Sequence, residues 1–91
     1  MTITVHFPAA LRDYCQGASK LSLSAPSVRA ALEQIEQSYP PLYRSICDET
    51  GRPRRHVNLF VNNTDVRDCA GLDTALAPGD TLTILPAVSG G

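Results

Sequence analysis

Apolar and polar residues alternate strictly through TITVHF, with Ile3, Val5 and Phe7 on one side and Thr2, Thr4 and His6 on the other. A period of two sends successive side chains to opposite faces, so the segment predicts a strand buried on one face only. Pro8 ends it. After a connection through AALRDYCQGA the alternation returns in KLSLSA with Leu21 and Leu23 inward, and the two segments predict a hairpin with a long loop. The period then changes. Val28, Ala31, Leu32, Ile35 and Tyr39 fall at helical spacing and form one apolar stripe, with Pro26 ahead of it and Ser27 or Ser24 as the N-cap. Pro40 and Pro41 close this helix, PLYRSIC predicts a short helical turn beginning on Pro41, and DETGRPRRH reads as a polar loop.

A third strand follows in VNLFVNNTDV, where Val57, Leu59 and Val61 alternate with Asn58, Phe60 and Asn62. Asn62 to Thr64 suits a tight turn, and Val66 is placed on a short return strand. GLDTALAPGD predicts a brief helical turn and a Pro-Gly corner, and TLTILP a last strand with Leu82 and Ile84 inward. Two hairpins separated by one amphipathic helix bury both sets of apolar faces when the helix lies across a mixed sheet. The expected fold class is therefore α+β, the β-grasp arrangement of ubiquitin, with the first and last strands paired at the sheet centre. Residues 1–86 form the domain, and residues 87–91 are expected to project from it as a C-terminal tail.

Composition narrows the function classes. With 43% hydrophobic residues, 19% charged residues and a net charge of -1, the 91-residue chain is an ordinary globular domain. It carries no overall field to hold nucleic acid or an anionic membrane, so neither is expected as a partner. No apolar run nears the roughly 18 residues of a membrane helix, and the N-terminus lacks a signal-peptide layout; a cytoplasmic protein is expected. Cys15, Cys47 and Cys69 are odd in number and widely spaced, which argues for reduced thiols rather than a disulfide framework. They also lack the C-x4-C-x2-C spacing and fourth cysteine of a plant-type iron-sulfur site, so no metal or bound cofactor is expected. No nucleophile elbow, metal pair or phosphate-binding glycine loop is present, and neither His6 nor Cys15 has a catalytic partner visible in sequence. The chain does not read as an enzyme by itself. Arg52, Arg54, Arg55 and His56 read as a solvated loop in preference to an anion grip, and Asp65 and Arg67 as turn chemistry or a surface ion pair.

The final LPAVSGG remains unexplained by folding, because a terminal glycine pair loses much conformational freedom on ordering and packs nothing. Together with the strand order, the GD corner and TILPAV, this ending resembles the ubiquitin-like bacterial sulfur carrier proteins, the ThiS/MoaD-like group that includes the small subunit of molybdopterin synthase and the thiazole-biosynthesis carrier. Val57 to Gly91 resembles its cysteine-biosynthesis branch most closely. Ser89 stands where that branch has alanine, and PAV stands where molybdopterin synthase small subunits more often have two prolines.

The resemblance implies that an E1-like adenylating enzyme uses ATP to activate the Gly91 carboxylate, which sulfur then converts to a thiocarboxylate. It implies an acceptor too, a cysteine synthase that holds pyridoxal phosphate (PLP), and a protease that releases the product; in some members a metalloprotease trims a longer precursor. Val88, Ser89 and Gly90 would thread into the partner active sites, where small residues permit close backbone approach on all sides. Phe60 and Leu85, on the outward face by the alternation, are the expected docking residues. Two further readings stay open: sulfur donation to molybdopterin, thiazole or a secondary metabolite, and a ubiquitin-like modifier joined to lysines.

Overall fold

A computed structural model describes residues 2–86, and its strands follow the alternation closely. The strands are β1 (Ile3–His6), β2 (Lys20–Leu23), β3 (Val57–Val61), β4 (Thr64–Asp65) and β5 (Thr81–Pro86); the helices are α1 (Val28–Ser38) and α2 (Pro40–Ile46). The sheet order is β2-β1-β5-β3-β4, with β1 and β5 parallel and every other pair antiparallel. This is the mixed β-grasp sheet. The expected tail, with Val88, Ser89, Gly90 and Gly91, lies outside the described residues.

One face of the sheet is buried beneath the helices. Ile3 and Val5 of β1, Leu59 of β3 and Leu82 and Ile84 of β5 meet Val28, Ala31, Leu32 and Ile35 of α1 and Leu42 and Ile46 of α2 in a single core. Each large aliphatic withdrawn from water there contributes about 1.5–3 kcal/mol, which is what holds so small a chain against its conformational entropy. Ser27, not Ser24, caps α1: its hydroxyl accepts from the Ala30 N–H at 3.2 Å. Tyr39 ends α1 and opens α2, which begins on Pro40, one residue earlier than expected. Proline is tolerated there because the first-turn N–H groups have no intrahelical partner.

Two local features depart from expectation. The connection after β1 is a 3₁₀-helix, Ala9–Cys15, which buries Cys15 and half-buries Leu11 before Gln16 reverses the chain with φ 59°. Val66 does not extend β4. The Asp65 carboxylate accepts from the Arg67 N–H at 2.8 Å and turns the chain into a 3₁₀-helix, Val66–Asp68, with Val66 buried. Asn62 opens the β3–β4 turn at φ 55°, where the tight turn was expected; its side-chain amide donates to Asp80, and its side-chain carbonyl oxygen accepts from the Thr81 N–H at 3.1 Å. That turn is thereby tied to the start of β5. The segment ahead of β5 is joined to the start of α1, since Val28 N–H donates to the Thr74 carbonyl at 3.0 Å and Leu76 N–H to that of Pro26 at 2.9 Å.

Candidate functional site

The strand that leads to the tail is held on both sides. Thr81, Leu82 and Thr83 lie opposite Thr4, Val5 and His6 of β1, while Leu82 through Pro86 lie opposite Val61 back to Val57 of β3. A central strand with buried Leu82 and Ile84 cannot slip by one residue without turning those side chains to water. The start of the expected tail therefore has a rigid base at Pro86.

On the open face the registers align into rows. Lys20, His6, Thr83, Phe60 and Asp65 form one row across all five strands, and Leu85 lies opposite Asn58 in the next. Phe60 is half-buried between Thr83 and Asp65, outside the core, and Leu85 is 43% exposed. The outward facing expected of both residues is found. Arg67 borders this area: its guanidinium donates to Asp65 Oδ2 and to Asn58 Oδ1, both at 2.8 Å. The Arg67 hydrogen bonds hold the Asp65 carboxyl below the usual carboxylate range. With the Arg67 side chain 72% exposed, the pair orders side chains more than it stabilises the fold.

A small apolar recess that the alternation does not reveal lies beside the last strand, about 160 Å³, lined by Pro8, Leu11, His56, Val57, Ile84 and Leu85. It exists because the 3₁₀-helix Ala9–Cys15 brings Leu11 alongside β5, and the four-residue spacing of Leu11 and Cys15 was its only sequence signal. The thiols do not join the site. Cys15 and Cys47 are buried, and burial pushes both thiols up, Cys47 to about 11; Cys69 is exposed. Arg52, Arg54, Arg55 and His56 are exposed on their loop, as expected. Among the described residues no cluster of three metal-ligating side chains occurs and no helix is long and apolar enough to cross a membrane.

Fold and site together define a ubiquitin-like protein that offers an open sheet face next to the strand bearing its C-terminal segment. The chain belongs to the ThiS family, whose sequence pattern matches residues 5–91. It is 40% identical over 93 residues, covering the whole of both chains, to the sulfur carrier protein CysO of Mycobacterium tuberculosis. The crystal structure of that CysO superposes with a TM-score of 0.87 at 39% identity, over 94% of this chain and 99% of the other. CysO in the Amycolatopsis orientalis BexX/CysO complex gives 0.87 at 34% identity, over 98% and 99%. The small archaeal modifier protein 1 of Methanosarcina acetivorans gives 0.83 at 32%, over 99% and 96%. Sulfur carrier proteins of this family are carriers rather than catalysts, and the full-length likeness to CysO supports a sulfur-carrier role here.

Proposed function

We propose that this chain carries sulfur as a thiocarboxylate on Gly91 and delivers it to a cysteine synthase that holds PLP. An E1-like adenylyltransferase would join the Gly91 carboxylate to AMP from ATP with loss of pyrophosphate; a sulfur nucleophile would then displace AMP and leave a C–S bond. ATP is consumed by the activating enzyme and PLP resides in the acceptor, so the carrier needs neither. The observation that carries this reading is the 40% identity to CysO over the full length of both chains. The BexX/CysO complex adds a precedent for a relative seated on another protein.

The carrier's own contribution is positional. Its central strand supplies a rigid base, Val88, Ser89 and Gly90 a slender thread, and Phe60 with Leu85 an apolar contact on the partner. Docking through that contact turns a dilute sulfide encounter into a local one of high effective concentration. The test mixes the thiocarboxylated protein with the PLP-dependent synthase and activated serine in one vessel, and with molybdopterin precursor and the large synthase subunit in another. A cysteine adduct at Gly91 in the first is expected, released afterwards by a protease, as a metalloprotease trims the precursors of other carriers. Sulfur transfer in the second alone would reassign the client to molybdenum-cofactor synthesis, and failure in both would point to a specialised metabolite or to protein tagging.

A second reading, a modifier joined through Gly91 to lysines, is favoured by the 32% identity to small archaeal modifier protein 1. The same activated carboxylate serves both. Lysine conjugates formed in place of a thiocarboxylate would select the modifier.

A further inference from the structure

On the side of the molecule away from β2, the 50–55 loop, the N-terminal end of α1 and the two 3₁₀-helices after β4 enclose an open groove of about 550 Å³. Arg29, Arg52, Arg54, Arg55 and Arg67 line it, five of the chain's eight basic residues. The carboxylates of its walls, among the described residues, are Asp65 and Asp73, and each already holds one guanidinium, of Arg67 and Arg29 respectively. Among the described residues Arg52 and Arg55 have no carboxylate partner. The floor is apolar, made by Val57, Leu59, Val66 and Leu72.

We infer that this groove docks an extended acidic segment of a partner protein, with an apolar side chain of that segment on the floor and its carboxylates on Arg52, Arg55 and their neighbours. Charge complementarity is the first ground. A chain of net charge -1 concentrates its cations along one wall system and leaves seven acidic residues against three basic ones elsewhere, which orients an incoming anion before contact. Shape is the second. The arginines come from three separate segments, α1, the 50–55 loop and the 3₁₀-helix after β4, and line the groove beside an apolar floor, which suits a peptide with several carboxylates better than one compact phosphate. Continuity is the third. Arg67 both lines the groove and hydrogen-bonds Asn58, which lies opposite Leu85, so a protein seated on the open face can extend an arm into the groove without a gap. Acidic-peptide capture is independent of the chemistry at Gly91.

The test is a titration of the ¹⁵N-labelled full chain with the acetylated, amidated peptide EDLDE, with EDSDE, QNLNQ and inorganic pyrophosphate as comparison probes. EDLDE is expected to shift the amides of Gly51, Arg52, Arg55, Arg67 and Leu72 saturably, and to weaken about tenfold between about 0.02 and 0.3 M salt. EDSDE should bind more weakly and QNLNQ not at all. Replacing Arg52→Gln and Arg55→Gln together should weaken EDLDE about tenfold, whereas Lys20→Gln on the far edge strand should not. The idea is overturned if EDLDE leaves the groove amides unmoved, if pyrophosphate shifts them as strongly, or if Lys20→Gln costs as much as the arginine pair. The wild-type shift map alone decides the matter should the double variant misfold.

Discussion

Cys47 is a buried thiol on which burial, opposed in part by a hydrogen bond with Tyr43, raises the pKa to about 11. Cys15 is raised by burial too, with its Sγ–H donating to the Ala18 carbonyl at 3.2 Å. The thiolate is the reactive form, so neither is poised to take part in sulfur chemistry. A disulfide reagent at neutral pH should therefore modify Cys69 alone in the native protein and all three cysteines after unfolding; rapid native-state labelling of Cys15 or Cys47 would contradict this packing. The same residues predict an alkaline instability. A folded pKa above the unfolded value of 9.0 stabilises fully below that value, and the contribution is lost as pH rises from about 9 to about 11. Tyr43, raised chiefly by burial, adds in the same direction. Melting temperature should fall between pH 9 and about pH 11, and Cys47→Ala should make the fall shallower; an unchanged slope would remove Cys47 as a cause. The fate of single residues was only partly legible in the sequence: odd, scattered cysteines argued for free thiols, but which two are buried depends on α2 and on a 3₁₀-helix that the sequence pattern did not reveal.

At the scale of elements, β5 sets fold against function on its two faces. Ile84 is buried and Leu85 is exposed. Ile84→Ala should cost about 2–5 kcal/mol, because the cavity adds to the lost transfer energy. Leu85→Asp should cost under about 0.5 kcal/mol while reducing transfer to the acceptor enzyme, and Phe60→Asp should impair transfer more strongly with little change in melting temperature. Unfolding by Phe60→Asp would contradict its place outside the core. Ser27→Ala should lower stability by about 1 kcal/mol in denaturant titration through loss of the α1 cap. Strand facing was legible because each strand buries one face, which leaves a period of two in the residues themselves. Short elements were not. Val66 continues an apolar pattern after β4, yet the Asp65 carboxylate captures the next backbone N–H and ends the strand. Ala9–Cys15 turns few side chains inward, so no stripe long enough to mark a helix is written there.

For the whole molecule, the order of hairpin, helix and hairpin was enough to place β1 beside β5 at the centre, since few topologies bury both apolar faces. The arginine groove was not legible, because residues from 29 to 67 meet only after folding. The chemistry proposed for this fold rests on Gly91, and intact-mass spectrometry addresses it most directly. The protein would be incubated with the E1-like enzyme, ATP and a sulfide source, beside a variant lacking Gly91. Wild type is expected to gain the mass of one sulfur for one oxygen, localised to the C-terminal fragment, and the variant to stay unchanged with its melting temperature intact. An unaltered wild-type mass, equal sulfur uptake by the deletion variant, or a ladder of lysine conjugates without thiocarboxylate would contradict a sulfur carrier acting through Gly91.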